Sequence, residues 1–397
     1  MKLTAIGSGY FRVYANGLEV SKHLSEREAI EAAVNLEAEN PSTDVRYTHN
    51  LYEVKVEAES ASIPPVIIPP PSVPPPSPNR VFAADSFWNS KADSLPKHQN
   101  SQSLVDELVK NTKAPGGVWI NTVEYTPLIH YVKTDIPKRV ITQKWTDGNT
   151  ATTEPGLTIK KQFAEGFRLP SPLLTSLGND KSCLVYDTID QKMAEFWQYR
   201  EENGNPVASW GAVLKDIPNH PGIVTPAGIG SRATGLALFG GTILVDELRT
   251  GKIPHALAIT IQYPSNKFIW PANRSDGYPG HEAWMGSQQN WPITLAEGQR
   301  FRFPQSIVID PSWSEFIKML VVAVRDYGLI IADRGGATAF TCEDPVLYIG
   351  AFSDEQERRR KGEAIYREFY GKKSDGSLKQ PWDILPQFSW QLLEAIA

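Results

Sequence analysis

Residues 58–79, AESASIPPVIIPPPSVPPPSPN, constrain this chain more than any other stretch. Proline fixes φ and has no amide hydrogen, so a run this rich in it builds neither helix nor paired strand and favours polyproline II. From residue 63 to 78 such a segment reaches about 50 Å at roughly 3.1 Å per residue, which makes it a stiff spacer between two folding units. No basic residue flanks PPPSVPPP on its N-terminal side, which argues against an SH3-ligand role.

Ahead of the spacer, residues 1–57 read as a small α+β domain. Strand-type residues from 3 to 14 meet the hairpin signal Asn16-Gly17, and residue 18 starts the return strand. Ser25 and Glu28 form a capping box for a helix with Ala29, Ile30, Ala33, Val34 and Leu36 on one stripe, stopped by Asn40-Pro41. Residues 45–49 and 51–56 supply a second strand pair. A core this small is marginal by itself, so this unit is expected to dock or to oligomerise.

Beyond the spacer, residues 80–348 predict a mainly β domain of sandwich or jelly-roll type. Short β-rich segments at 118–123, 128–132, 184–187, 195–199, 243–245, 256–261, 268–270 and 300–303 are separated by Gly, Pro, Asn or Asp. Helical spacing marks 101–111, 312–327 and 354–369. Residues 231–261 predict strand, glycine turn at Gly240-Gly241, strand and polar connection, with His255 on the core face of the last strand. Residues 349–397 are expected to fold back as a helical clamp. No repeat of fixed period is present.

Composition excludes several classes of function. Over 397 residues, 40 basic side chains are scattered among 45 acidic ones for a net charge of -5, which opposes general binding to nucleic acid or anionic membrane. Hydrophobic residues make up 41% of the chain, enough for a sizeable core, yet no segment has the roughly 18 apolar residues of a membrane span. Membrane insertion is therefore not expected. Cys183 and Cys342 show no metal-ligand spacing, so no metal and no cofactor is predicted, although one disulfide remains open. The first residues lack the basic start and apolar core of a signal peptide.

GxGxxG, Walker, HExxH and GxSxG motifs are missing, and what remains suits carbohydrate. Several of the 11 tryptophans sit beside polar residues: Trp88, Trp197, Trp210, Trp284 and Trp291. Indole faces stack on sugar rings while Asp, Asn, Gln and Arg bond the hydroxyls. Trp88, Trp197 and Trp284 stand between groove and core, with Arg200 beside Trp197; Trp119, Trp145 and Trp313 are expected in the core. Glycosidic cleavage needs two carboxyl groups, and Asp85, Glu195 and Asp333 are candidates. Lyase chemistry needs a base and a cation, for which His130, His255, Tyr199, Arg200 and Arg232 are candidates. For His255, a hydrogen-bonded structural role is favoured over catalysis.

The motifs DSFWN (85–89), EFWQYR (195–200), RATGLALFGGTILVDELRTGKIPHALAITI (from 232), FIWPA (268–272) and YGLIIADRGG (327–336) form a specific set. Through them, residues 80–348 resemble a widespread group of extracellular bacterial and microbial-eukaryote β-rich proteins, a resemblance that carries no reaction. The order of small domain, proline stalk and aromatic-rich head resembles a phage fibre, spike or capsid-decoration protein. That likeness implies a virion or extracellular location, docking to virion structural proteins through residues 1–57, an oligomer, and a head that binds or cleaves bacterial surface polysaccharide. An exported lyase or glycoside hydrolase, and a non-enzymatic adhesin, are the alternatives.

Overall fold

The apolar runs around 257–261 and 329–334 are buried on both faces, and this double burial sets the architecture of the large unit. Ala256, Ala258, Ile330 and Ala332 point into one hydrophobic core, while Leu257, Ile259, Ile261, Leu329 and Ile331 point into another. Successive strand residues face opposite ways, so one sheet serves as the wall shared by two cores.

The structure, a computed structural model, describes residues 81–279 and 295–397 and, before them, the strands Lys2–Thr4, Phe11–Ala15, Leu18–His23, Val45–Thr48 and Glu53–Lys55. The helix expected after Ser25, the proline segment, Trp284 and Trp291 lie outside the described residues. Chain contacts divide the protein into Met1–Pro64 and Pro65–Ala397, a boundary inside the proline run. In the first unit, Phe11–Ala15 pairs antiparallel with both Leu18–His23 and Val45–Thr48, and Lys2–Thr4 pairs with Glu53–Lys55.

In the second unit the shared wall is a six-stranded sheet in the order Glu394–Ala395, Arg300–Arg302, Leu329–Arg334, Leu257–Ile261, Thr338–Thr341, Val118–Asn121. It is mixed: Leu257–Ile261 runs parallel to Leu329–Arg334, and Thr338–Thr341 runs parallel to Val118–Asn121. A four-stranded sheet, Trp210–Leu214, Lys192–Trp197, Cys183–Asp187, Leu128–Val132, belongs to the first core. Helices Glu315–Asp326 and Glu355–Tyr370 pack into the second core. Ser314 caps the first of these by accepting from the Ile317 amide, and Asp354 caps the second from Glu357.

The expectation of a mainly β domain holds only in its coarser form. Several sheets are present, but helices contribute comparably, the largest sheet is mixed, and no sheet among the described residues closes into a barrel. The stretch 231–261 also departs from the expected pair of strands. Gly241 turns the chain at φ 71°, and a helix follows, Val245–Thr250, where a strand end and polar connection were predicted. Glu247 accepts from the Leu244 amide at its start, and Gly251 at φ 75° ends it, a short polar helix with a glycine stop. Residues 349–397 are integral to the large unit: Ile384, Phe388, Trp390 and Leu393 enter the second core, and Glu394–Ala395 forms the edge of its sheet. Cys183 and Cys342 are both buried free thiols.

Candidate functional site

Strand Leu329–Arg334 leaves the core at Asp333, and there two depressions meet. One of about 750 Å³ and one of about 490 Å³ share the walls Tyr125, Asp180, Thr260, Asp333 and Arg334. Asp333 thus stands at the middle of one groove. Asp333 Oδ1 accepts from the amides of Ala233 (3.2 Å) and Arg334 (3.1 Å). Burial, and then the charge of Asp276, push its pKa up to about 7 despite Arg232 and those amides.

Carboxylate oxygens of Asp276, Glu297 and Asp333 all lie within 4.8 Å of one another. Asp276 is exposed and sits 3.3 Å from the Arg334 guanidinium. Glu297 is fully buried, and burial, with Asp333 and Asp276, raises its pKa against the pull of Ser275 and the Asp276 amide. A set of oxygens like this could hold a hard cation such as Ca²⁺. The charges around it favour a retained proton instead. Arg274 acts electrostatically on Asp333, Glu195, Asp276 and Glu297, Arg232 acts on Asp333 and Glu195, and Arg334 pairs with Asp276. Four carboxyls against three guanidiniums reach neutrality with one proton, whereas a dication would overshoot it.

Glu195 supports this centre from below. Fully buried, it accepts from Ser231 N (2.7 Å) through Oε1 and from Leu238 N (2.7 Å) through Oε2, pinning the loop that carries Arg232. Burial raises its pKa against the pull of those amides, Arg232 and Arg274. Arg232 donates through Nη1 to Ala237 O and Gly240 O, and its buried Nη2 has no hydrogen-bond partner among the described residues. Arg274 donates through Nη2 to Gly230 O and Arg232 O.

The smaller depression has an aromatic wall. Trp145 and Trp210 stack with ring centres 5.1 Å apart and 14° between planes, and Trp197 meets Trp145 edge-on at 6.4 Å. Trp197 Nε1 donates to Asp180 at 2.9 Å, which fixes its ring beside the shared part of the groove. Arg200 works behind the wall, donating to Lys144 O, Trp145 O and Glu202.

Of the sequence candidates, Asp333, Arg232 and Trp197 line the groove, with Glu195 beneath it and Arg200 bracing it. Asp85 is exposed and lines neither depression. Trp88 is 1% exposed and offers no face to a ligand, because Gly222, Gly240 and Gly241 close around its indole. His130 is buried and bonded to Leu174 O, and Tyr199 is buried with its hydroxyl on Glu201. His255 also lies away from both depressions, bonded through Nδ1 to Ala256 O and through Nε2 to Glu247. Burial opposes its protonation, but Glu247 outweighs this and its pKa is raised. His255→Gln is therefore expected to leave any cleavage in the groove unchanged while lowering stability by about 1–3 kcal/mol, the cost of unpairing buried polar groups. Urea unfolding beside an activity assay checks both halves, and lost cleavage in a folded variant would return His255 to the site.

Sequence reasoning passed over Asp276, Glu297 and Arg274, and it placed Trp119 and Trp145 in the core. Trp119 is 47% exposed and Trp145 is half-buried in the groove wall. Comparison with known proteins gives no match to a protein-family profile, a curated protein or a solved structure, so the site is read from its own geometry.

Proposed function

We propose that the large unit binds a polysaccharide in this groove and hydrolyses a glycosidic bond at its centre. The observation that carries the reading is the facing pair Asp333 and Asp276. Their oxygens approach within 4.8 Å, in keeping with the roughly 5–5.5 Å between carboxyls in retaining hydrolases rather than the wider inverting spacing. Asp333, half-buried and protonated up to about pH 7, gives its proton to the glycosidic oxygen as the C1–O bond breaks. Asp276, open to the groove, attacks C1 and forms the glycosyl ester. Water, deprotonated by the Asp333 carboxylate, then attacks C1 and releases Asp276. Glu195 and Arg232 position the loop and field around Asp333, and the tryptophan wall supplies stacking.

A lyase reading has less support, since His130 is buried, His255 is bonded to Glu247 and Ala256 O, and neither lines the groove. An adhesin would use the same wall without the carboxyl pair. On the biological side, the division inside the proline run favours a separable N-terminal unit, which we read as the anchor to a virion or other particle, with the head meeting bacterial surface polysaccharide. The facing sheets of the first core are read as sandwich-like in that head.

The direct test incubates the full chain with purified bacterial surface polysaccharides and follows new reducing ends. Hydrolysis without ultraviolet absorbance from an unsaturated uronate is the expected result, with activity falling as pH rises through about 7 and Asp333 loses its proton. Absorbing products would replace the hydrolase by a lyase. Binding with no product would leave an adhesin.

A further inference from the structure

The larger depression is not needed to bring Asp333 and Asp276 together, yet it opens directly from Asp333. Three of the exposed large apolar side chains line it: Trp119 at 47%, Tyr125 at 51% and Trp382 at 50%. Trp119 comes from the edge strand Val118–Asn121 and Trp382 from the short helix Pro381–Ile384, so two distant segments bring indoles to one concavity. Close backbone contact fixes its floor, where a Cβ on Gly116 would collide with Gly336 O. Among the described residues, each guanidinium that lines it is already paired with a carboxylate: Arg359 with Glu124, Arg367 with Glu363 at 2.6 Å, and Arg334 with Asp276 of the smaller depression at 3.3 Å. No surplus of guanidinium is left to select an acidic sugar, whereas paired carboxylates and guanidiniums still bond hydroxyls.

We propose that this depression is a second arm of the groove, built to hold a neutral polysaccharide chain that continues past Asp333 from the Trp145–Trp197–Trp210 wall. The inference rests on the hydrolase reading for where the chain is cut, but not for where it binds. A chain lying in both arms places the carboxyls at an internal bond, so cleavage is within the chain rather than from its end. The occupant follows from continuity, because the shared walls Tyr125, Asp180, Thr260 and Arg334 make the two depressions a single path.

The test uses the full chain, its Trp119→Ala, Trp382→Ala and doubly substituted variants, and Asp333→Asn. Affinity electrophoresis is run in gels containing a mixed-linkage β-glucan, a galactomannan, a dextran or a neutral bacterial O-polysaccharide, with alginate as the acidic comparison. At least one neutral polymer should retard the wild type and Asp333→Asn alike. Each tryptophan substitution should weaken that binding by about tenfold, the scale of one stacked aromatic contact. With the retained polymer as substrate, viscosity should drop before many reducing ends appear. Unchanged binding in the double variant, retardation by alginate alone or by no polymer, or release of only terminal sugars would each overturn the second arm. Binding lost in the tryptophan variants with no product from the wild type would uphold the arm and sink the hydrolase. Circular dichroism guards against misfolding, and Trp119→Phe, which keeps a ring in place, should recover much of the binding lost in Trp119→Ala; failure to do so would overturn the stacking role.

Discussion

Replacing Asp333 with Asn should lower glycan cleavage by roughly 10²–10⁴-fold, the usual contribution of a positioned general acid, while binding and fold persist. Asparagine keeps an oxygen where Asp333 Oδ1 now accepts from Ala233 and Arg334, so the loop and the strand end remain fastened. The substitution removes the proton donor itself. It also removes a carboxyl that burial and Asp276 disfavour in its charged form, so stability above pH 7 should not suffer. Asp333→Glu, which keeps an acid but moves it, should retain part of the rate and shift the alkaline limb of the pH profile. Asp276→Asn should be as damaging as Asp333→Asn, because a retaining mechanism needs both groups. Reducing-end release measured against affinity electrophoresis separates turnover from binding. Rates within a few-fold of wild type for Asp333→Asn would remove the groove centre as the site of chemistry.

The residues of that centre differ in how far sequence could reveal them. Asp333 was legible because a carboxyl ends an unbroken apolar run, LIIAD, where burial of its neighbours is assured. Trp197 was legible from the polar residues around it in EFWQYR. Asp276 and Glu297 were not, since each sits in an ordinary turn-like context, SDGY and AEGQ, and gains meaning only where three separated segments converge. Trp119 could have been placed by alternation. Ile120 points into the second core, so its neighbour on a short edge strand must point out.

The fold shows the same division. Local patterns located the helices 101–112, 315–326 and 355–370 and several strands of the large unit, because periodicity is a local property, but passed over the helix Glu154–Ala164 and the strands Trp210–Leu214 and Thr338–Thr341. Pairing is not local. The parallel match of Leu257–Ile261 with Leu329–Arg334, separated by a long excursion that includes helix Glu315–Asp326, makes the largest sheet mixed and helix-backed, which no local pattern announces. The nearly continuous apolar run from Leu329 to Ala332 was a sign of burial on both faces, and hence of such a sheet. His255 needed a different distinction. Its place beside an apolar strand signalled burial, and burial with Glu247 satisfies the imidazole without giving it a substrate.

Trp88→Ala should destabilise the large unit by about 3–5 kcal/mol, the range for emptying a buried aromatic site, with the unfolding midpoint in urea shifted accordingly. The indole is 1% exposed, its ring lies 4.8 Å from Phe87, and its Nε1 donates to Gly222 O. What makes the site rigid is backbone on several sides. A Cβ on Gly240 would lie 2.3 Å from the indole, on Gly222 2.5 Å, and on Gly241 2.6 Å. The chain therefore reaches its closest approach to Trp88 through glycines, and it cannot collapse far into the vacated volume. At Gly240 the requirement is space rather than positive φ, so Gly240→Ala should cost about 1–3 kcal/mol by overpacking in the wild type. In the Trp88→Ala background the added methyl enters the cavity instead. The double variant should then lie at or above the stability of Trp88→Ala alone, a coupling that independent sites do not show. Strictly additive losses would mean that Gly240 and Trp88 do not meet.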